Sequence, residues 1–283
     1  YETAKEQRAK IILENASPGN IDNAIAQAQQ VLKDTVIGQH VNMKYRQRCL
    51  ALADSLYKSI GAQLKVIPYG AEDGRGNFLD NIDTPLNDSP WLLDQLAKIE
   101  KLSDETDREE AIDKMLHRTD AGPGGLYDNF GLTSSKKRVI GINQWGDDPG
   151  GITSPTTSFG VGTKEDEWVH EIRPQGFGGK IVPKAWMTQI NTLYNQPLQI
   201  AYDGLDTASE YKIRVAYTGR FRSKMKLTGN NILIHDYLQT GDNPIYEFDI
   251  PKRAITSGRI VFTWVCGEGE QGSQVSEIWL IRK

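Results

Sequence analysis

The stretch LQIAYDGL (198–205), with the run EYKIRVAYT (210–218) behind it, decides the fold. In the second run Tyr211, Ile213, Val215 and Tyr217 alternate with Lys212, Arg214 and Ala216. A period of two places successive side chains on opposite faces of an extended chain, which predicts strands half-buried on one side. Working outward, KMKLTG (224–229), NILIHD (231–236), YEFDI (246–250), GRIVFTWV (258–265) and VSEIWLIRK (275–283) are short runs of the same kind. They are rich in β-branched and aromatic residues and broken by turn signals. The gaps are too short for crossover helices, so residues 174–283 are expected to form an antiparallel β-sandwich.

The chain before this region reads differently. Of its 27 glycines, 6 fall in residues 1–118 and 21 in the rest, and five of the six Trp also lie after 118. Glycine is costly inside helices and useful in turns, so the shift marks helices giving way to loops and strands. Ile21, Ala24, Ile25, Ala28, Val31 and Leu32 follow helical spacing, with Ser17 or Asn20 as the cap. Val41, Tyr45, Cys49, Leu52, Leu56 and Ile60 mark a second helix; Trp91, Leu92, Leu96 and Ile99 mark a third. Thr106 and Glu109 have capping-box spacing at the start of a fourth, which runs through Ala111, Ile112, Met115 and Leu116. Residues 119–173 have neither period. Their Gly, Pro, Ser and Asp surround Tyr127, Phe130, Trp145, Phe159 and Trp168, which predicts a long ordered connection rather than a flexible linker. The expected organisation is therefore α+β and multidomain: a helical region (1–118), a Gly/Pro-rich connector (119–173) and the sandwich (174–283).

Composition excludes several classes. The formal net charge of −4 lies wholly in residues 1–118, and 119–283 carry equal numbers of each sign, which argues against a nucleic-acid surface. No stretch approaches the roughly 20 apolar residues that cross a bilayer. The polar opening YETAKEQRAK carries no export signal and suggests a processed chain or a piece of a longer one.

The pattern Leu198-x-Ile200-x-Tyr202-Asp203-Gly204-Leu205-Asp206, then Tyr211-x-Ile213-x-Val215, with the ending Gln274-Val275-Ser276-Glu277-Ile278-Trp279-Leu280, resembles galactose-binding-like jelly-roll domains. The segments SIGAQL (59–64), RGNFLD (75–80), DTPLND (83–88) and DAGPGGLYD (120–128) are similar to the carboxyl-terminal region of large exported bacterial polysaccharide-degrading proteins. The resemblance implies an accessory module for carbohydrate binding or structure, outside the cytoplasm (secreted, periplasmic or at the cell surface), attached to the remaining domains of a longer chain. Many such domains hold a structural calcium ion, but no ladder of Asp and Asn here matches an ion loop.

The residues leave the chemistry open. His40, His117, His170 and His235 form no metal-binding spacing, and Cys49 and Cys266 lie in different expected domains. Gly122-Pro123-Gly124-Gly125 lacks the Lys-Ser/Thr ending of a phosphate loop and reads instead as a tight turn with close backbone approach. The carboxylates Asp80, Asp83, Asp120 and Asp128 are candidates for the acid pair of a glycoside hydrolase. Tyr127 is a candidate proton donor for a polysaccharide lyase, with His117 as its base. The same acidic loops also fit turns and helix caps. Trp145, Trp168 and Trp186 are candidate glycan contacts, because sugar rings stack their C–H faces on indoles; Trp264 and Trp279 are expected in the core. The favoured function is non-catalytic glycan binding or support; the alternatives are an enzyme with acidic loops at its site, and a purely structural module.

Overall fold

The computed structural model describes residues 2–33, 51, 55, 59, 88–130, 133–143, 147–148, 151–159, 163–165, 170–172, 181–186, 188–218, 222–241, 243–255 and 257–283. These form two compact units. One comprises residues 1–118 and 162–184, the other 119–161 and 185–283.

The first unit holds helices α1 (Glu2–Glu14), α2 (Ile21–Lys33), α3 (Ser89–Ile99) and α4 (Glu105–Leu116), with a small hairpin of β3 (Thr163–Glu165) and β4 (His170–Ile172). On α2 the predicted stripe is the buried one: Ile21, Ala24, Ile25, Ala28 and Leu32. It packs with Ala9 and Leu13 of α1, Leu92, Leu96 and Ile99 of α3, and Ile112 and Met115 of α4. The cap of α4 differs from expectation by two residues. It is Asp104, whose carboxylate accepts from the Asp107 amide at 3.1 Å, and Thr106 lies inside the first turn. Beside it, Arg108 reaches Asp22 at 2.5 Å and ties the first turns of α4 and α2. The predicted helix of residues 41–60 lies largely outside the described residues; Ala51, Ser55 and Ser59 are helical.

The second unit is the sandwich. One sheet has the order β1-β13-β7-β10 and the other β6-β11-β8-β9, every pair antiparallel. The strands are β1 (Leu126–Asn129), β6 (Leu198–Asp203), β7 (Tyr211–Ala216), β8 (Lys224–Gly229), β9 (Ile232–Gln239), β10 (Ile245–Ile250), β11 (Arg259–Cys266) and β13 (Glu277–Arg282). A third sheet, β12-β5-β2, joins Gln274–Val275, Thr188–Asn191 and Thr156–Phe159. The inner faces meet in one core: Ile213, Val215, Ile278 and Leu280 from the first sheet against Ile200, Tyr202, Leu227, Phe262 and Trp264 from the second, all fully buried. Neither β1 nor β2 was expected within 119–173. Both are short, and each is made a strand by a partner more than thirty residues away, β13 or β5.

The GPGG turn behaves as its glycines predict. Gly122 and Gly124 have φ of +79° and +75°. A Cβ on Gly125 would sit 2.3 Å from the Ala121 carbonyl oxygen, so only glycine lets the chain turn into β1 here.

A buried hydrogen-bond chain crosses between the sheets. Trp264 Nε1 donates to the Tyr217 hydroxyl at 2.7 Å, and that hydroxyl lies 2.8 Å from His235 Nε2. His235 Nδ1 lies 2.7 Å from the Asp236 carbonyl, which can only accept, so Nδ1 carries the proton and Nε2 accepts from Tyr217. The ring stacks on Phe248 at 4.4 Å, and Tyr246 closes the cluster 5.5 Å from Tyr217. Burial outweighs the Asp236 carbonyl and carboxylate and holds the imidazole below its ordinary value of 6.5. The unfolded chain therefore binds this proton more readily than the folded one. Stability is whole above about pH 6.5 and falls as the pH drops below it. Thermal unfolding between pH 7.5 and 5.5 should show this decline, and His235→Gln, which keeps an acceptor for Tyr217 and does not titrate, should flatten it.

Candidate functional site

The two outer faces of the sandwich have opposite characters. On the first sheet, register places Tyr127, Trp279, Arg214 and Glu247 in one row across β1, β13, β7 and β10. Tyr127 lies 5.3 Å from Trp279, and the Arg214 guanidinium 5.8 Å from the same indole. Arg214 Nε donates to Glu247 Oε1 at 2.6 Å, and this bond, followed by the nearby Lys212, holds the Glu247 carboxyl below its usual range. The next row carries Glu277, which is fully buried. The Tyr127 hydroxyl donates to Glu277 Oε1, and Trp186 Nε1 donates to its Oε2 at 2.6 Å. Ala121 and Trp186 cover this face, leaving Trp279 only 1% exposed. A buried carboxyl needs hydrogen-bond partners in place of lost hydration, and the two aromatic donors supply such partners here.

Two candidates from the sequence thus converge, but on a residue that was not one of them. Tyr127 and Trp186 meet at Glu277 and seal it. Trp186 is half-buried with its indole N–H committed, and Trp279 and Trp264 are core as expected. The two described acidic candidates, Asp120 and Asp128, do not come together. Asp120 is exposed, and its Oδ1 accepts from the Gly122 amide at 2.8 Å, which shapes the turn. Asp128 faces inward from β1, 7% exposed, with Arg138 Nε 2.7 Å from its Oδ2. The Arg138 guanidinium stacks 4.5 Å from the Tyr202 ring, whose hydroxyl is pushed well above its ordinary value by burial and then by the Asp128 charge. This trio, with Phe130, Val139 and the Val139–Ile200 bridge, closes the sandwich edge between β1 and β6. His117 pairs with Asp113 on the exposed side of α4, at 2.8 Å. Asp80, Asp83, Trp145 and Trp168 lie outside the described residues.

The second sheet's outer face is open. Across β6, β11, β8 and β9 it presents Gln199, Thr263, Thr228 and Leu233 in one row, then Val265 and Lys226 beside Tyr237, then Lys224 and Gln239. Tyr237 is 49% exposed and Leu233 51%. The Lys226 ammonium stands 5.2 Å from the Tyr237 ring centre. Tyr237 was missed because β9 slips register against β8 twice, around Ile234 and around Asp236–Tyr237. Strict alternation from His235 would turn Tyr237 inward; the bulge turns it out.

Among the described residues no group of three His, Cys, Asp or Glu converges as a metal site. Cys266 is buried; its thiol lies 2.6 Å from the Tyr194 carbonyl, and burial raises its pKa. No described helix is long and apolar enough to cross a membrane.

No family model matches this chain, and no curated protein matches it by sequence. Loose likenesses exist among solved structures. The complex of plant peptide RALF23 with FER and LLG2 has a TM-score of 0.31 at 10% identity, over 48% of this chain and 35% of that one. Exo-β-1,3-galactanase from Phanerochaete chrysosporium has a TM-score of 0.28 at 12% identity, over 55% of this chain and 29% of that one. A family 35 carbohydrate-binding module from Clostridium thermocellum has a TM-score of 0.25 at 15% identity, over 44% of this chain and 90% of the module. The matched part thus spans about a third of the first two.

Opening the buried Asp128–Arg138 pair from one side should be costly. Arg138→Met leaves a buried carboxylate unpaired and should lower unfolding free energy by about 3–5 kcal/mol, whereas adding Asp128→Leu should recover most of that, read by urea denaturation.

Proposed function

We propose that the sandwich unit is a non-catalytic carbohydrate-contacting module of the galactose-binding-like, jelly-roll type, the accessory end of an exported carbohydrate-active protein. The observation that carries this reading is the second sheet's outer face. Tyr237 stands half-exposed among hydroxyls, amides and lysine stems, a setting in which a sugar ring can lay its C–H face on the phenol while its hydroxyls find partners at the sides.

The partners of the described acids named above favour the non-catalytic reading. Glycoside hydrolysis needs two carboxylates that reach one bond, one of them protonated. Asp128 is held by Arg138, Asp120 shapes a turn, Glu247 is paired with Arg214, and Glu277 is shut from solvent beneath Tyr127 and Trp186. The Tyr127 hydroxyl, the lyase candidate, already donates to Glu277.

Affinity electrophoresis of the whole chain against a panel of soluble polysaccharides should show retardation by at least one of them. Tyr237→Ala should weaken that binding about five- to thirtyfold, the loss expected for roughly 1–2 kcal/mol of apolar contact, with unchanged thermal stability. A panel that gives no retardation, or retardation that Tyr237→Ala leaves intact, refutes the reading.

A further inference from the structure

The glycan face on the second sheet carries more than an aromatic plane. Lys226 projects from β8 toward the neighbouring β9, and its ammonium sits over the Tyr237 ring at 5.2 Å. Lys224 stands two residues before it on the same face and is exposed, and neither lysine is in an ion pair among the described residues. The adjacent carboxylate, Asp236, turns its Oδ1 to the Tyr237 backbone amide at 2.8 Å. The strand residues around Tyr237 and Lys226 are uncharged (Gln199, Thr263, Thr228, Leu233 and Val265), while the turn carrying Glu270 abuts Lys224. Elsewhere on the sandwich, basic side chains at strand positions are matched, as Arg214 is by Glu247, Arg259 by Asp203 and Arg282 by Asp206. Unmatched cations beside an exposed ring are therefore a local feature of this face.

We propose that this face selects acidic polysaccharide, with a uronate residue laid against Tyr237 and its carboxylate beside the Lys226 ammonium; the proposal rests on the glycan-contact reading above. A neutral pyranose offers its C–H face to the ring but leaves the ammonium beside it without an anion. A uronate supplies both at the required separation, because its carboxylate is one bond outside the ring. The ammonium is already held against the aromatic by cation–π attraction, so little side-chain freedom is lost when the sugar arrives. Lys224, farther along the same strand, lies where the next acidic unit of a polyuronate would pass.

Binding of the whole chain to polygalacturonate and to a neutral β-galactan, at low and high sodium chloride, tests this. The expected result is a preference for polygalacturonate of about tenfold at about 50 mM salt, largely lost at about 500 mM, where the Debye length has shrunk several-fold. Lys226→Met should abolish the preference while leaving the neutral polymer's affinity within about twofold, Lys226→Arg should keep it, and Lys101→Met, on the other unit, should change nothing. Equal binding of both polymers, lost in Tyr237→Ala but unchanged in Lys226→Met, overturns acidic selection and leaves the glycan reading standing. Binding of neither polymer overturns selection here, and the wider panel then decides the glycan reading. Polygalacturonate binding that Lys226→Met removes but Tyr237→Ala does not, and that a DNA duplex reproduces, means general polyanion attraction and also overturns the proposal. All these residues are exposed or half-exposed, so the variants should unfold at wild-type temperature.

Discussion

The sandwich holds together because Ile213, Val215, Ile278 and Leu280 on one sheet meet Ile200, Tyr202, Phe262 and Trp264 on the other with no water between. Each such side chain contributes about 1.5–3 kcal/mol on leaving water, and this burial fixes which face of every strand points out. Polar atoms enter this core only under strict terms. Trp264, Tyr217 and His235 are tolerated because each donor finds an acceptor, and this same chain makes the core sensitive to acid. At the β1–β6 edge, Asp128 and Arg138 are tolerated because they neutralise each other against the Tyr202 ring.

Once the inner faces are set, the outer faces diverge. The first sheet is roofed by Ala121 and Trp186, which turns Glu277 from a surface acid into a buried anchor. The second keeps Tyr237, Lys226 and Leu233 accessible. A β-sandwich has two such faces by construction, and here one is covered while the other keeps accessible side chains. The conspicuous aromatics, Trp264 and Trp279, lie inside, so the accessible face carries a tyrosine and lysines instead.

Much of this architecture was legible in the residues. The two-residue alternation around Tyr211 and the stripes on α2 and α3 correspond to the sides that are buried, because burial is read out through local geometry. The cap at Asp104 was misplaced by two positions, to Thr106, since several side chains in Ser103–Asp107 can accept the same amide. The site was less legible. Asp128 and Asp120 looked alike as loop acids, yet one faces the core and the other solvent, a difference set by the pairing of β1 with β13. Glu277 carried one readable signal, an acid on the same strand face as Trp279, but what covers it comes from residues about ninety and a hundred and fifty positions earlier.

Local order, then, came from the chain itself: strand period, helical stripes and the glycines of the GPGG turn act within a few residues, and no distant partner is needed to read them. Which acids are buried, which strand bulges and which face stays bare were decided by contacts between segments far apart in sequence. Short pieces such as β1 and β2 have too little periodicity to declare themselves, and a single bulge in β9 reverses the side on which Tyr237 emerges. Those outcomes depend on long-range pairing and packing, to which no local pattern of residues gives access.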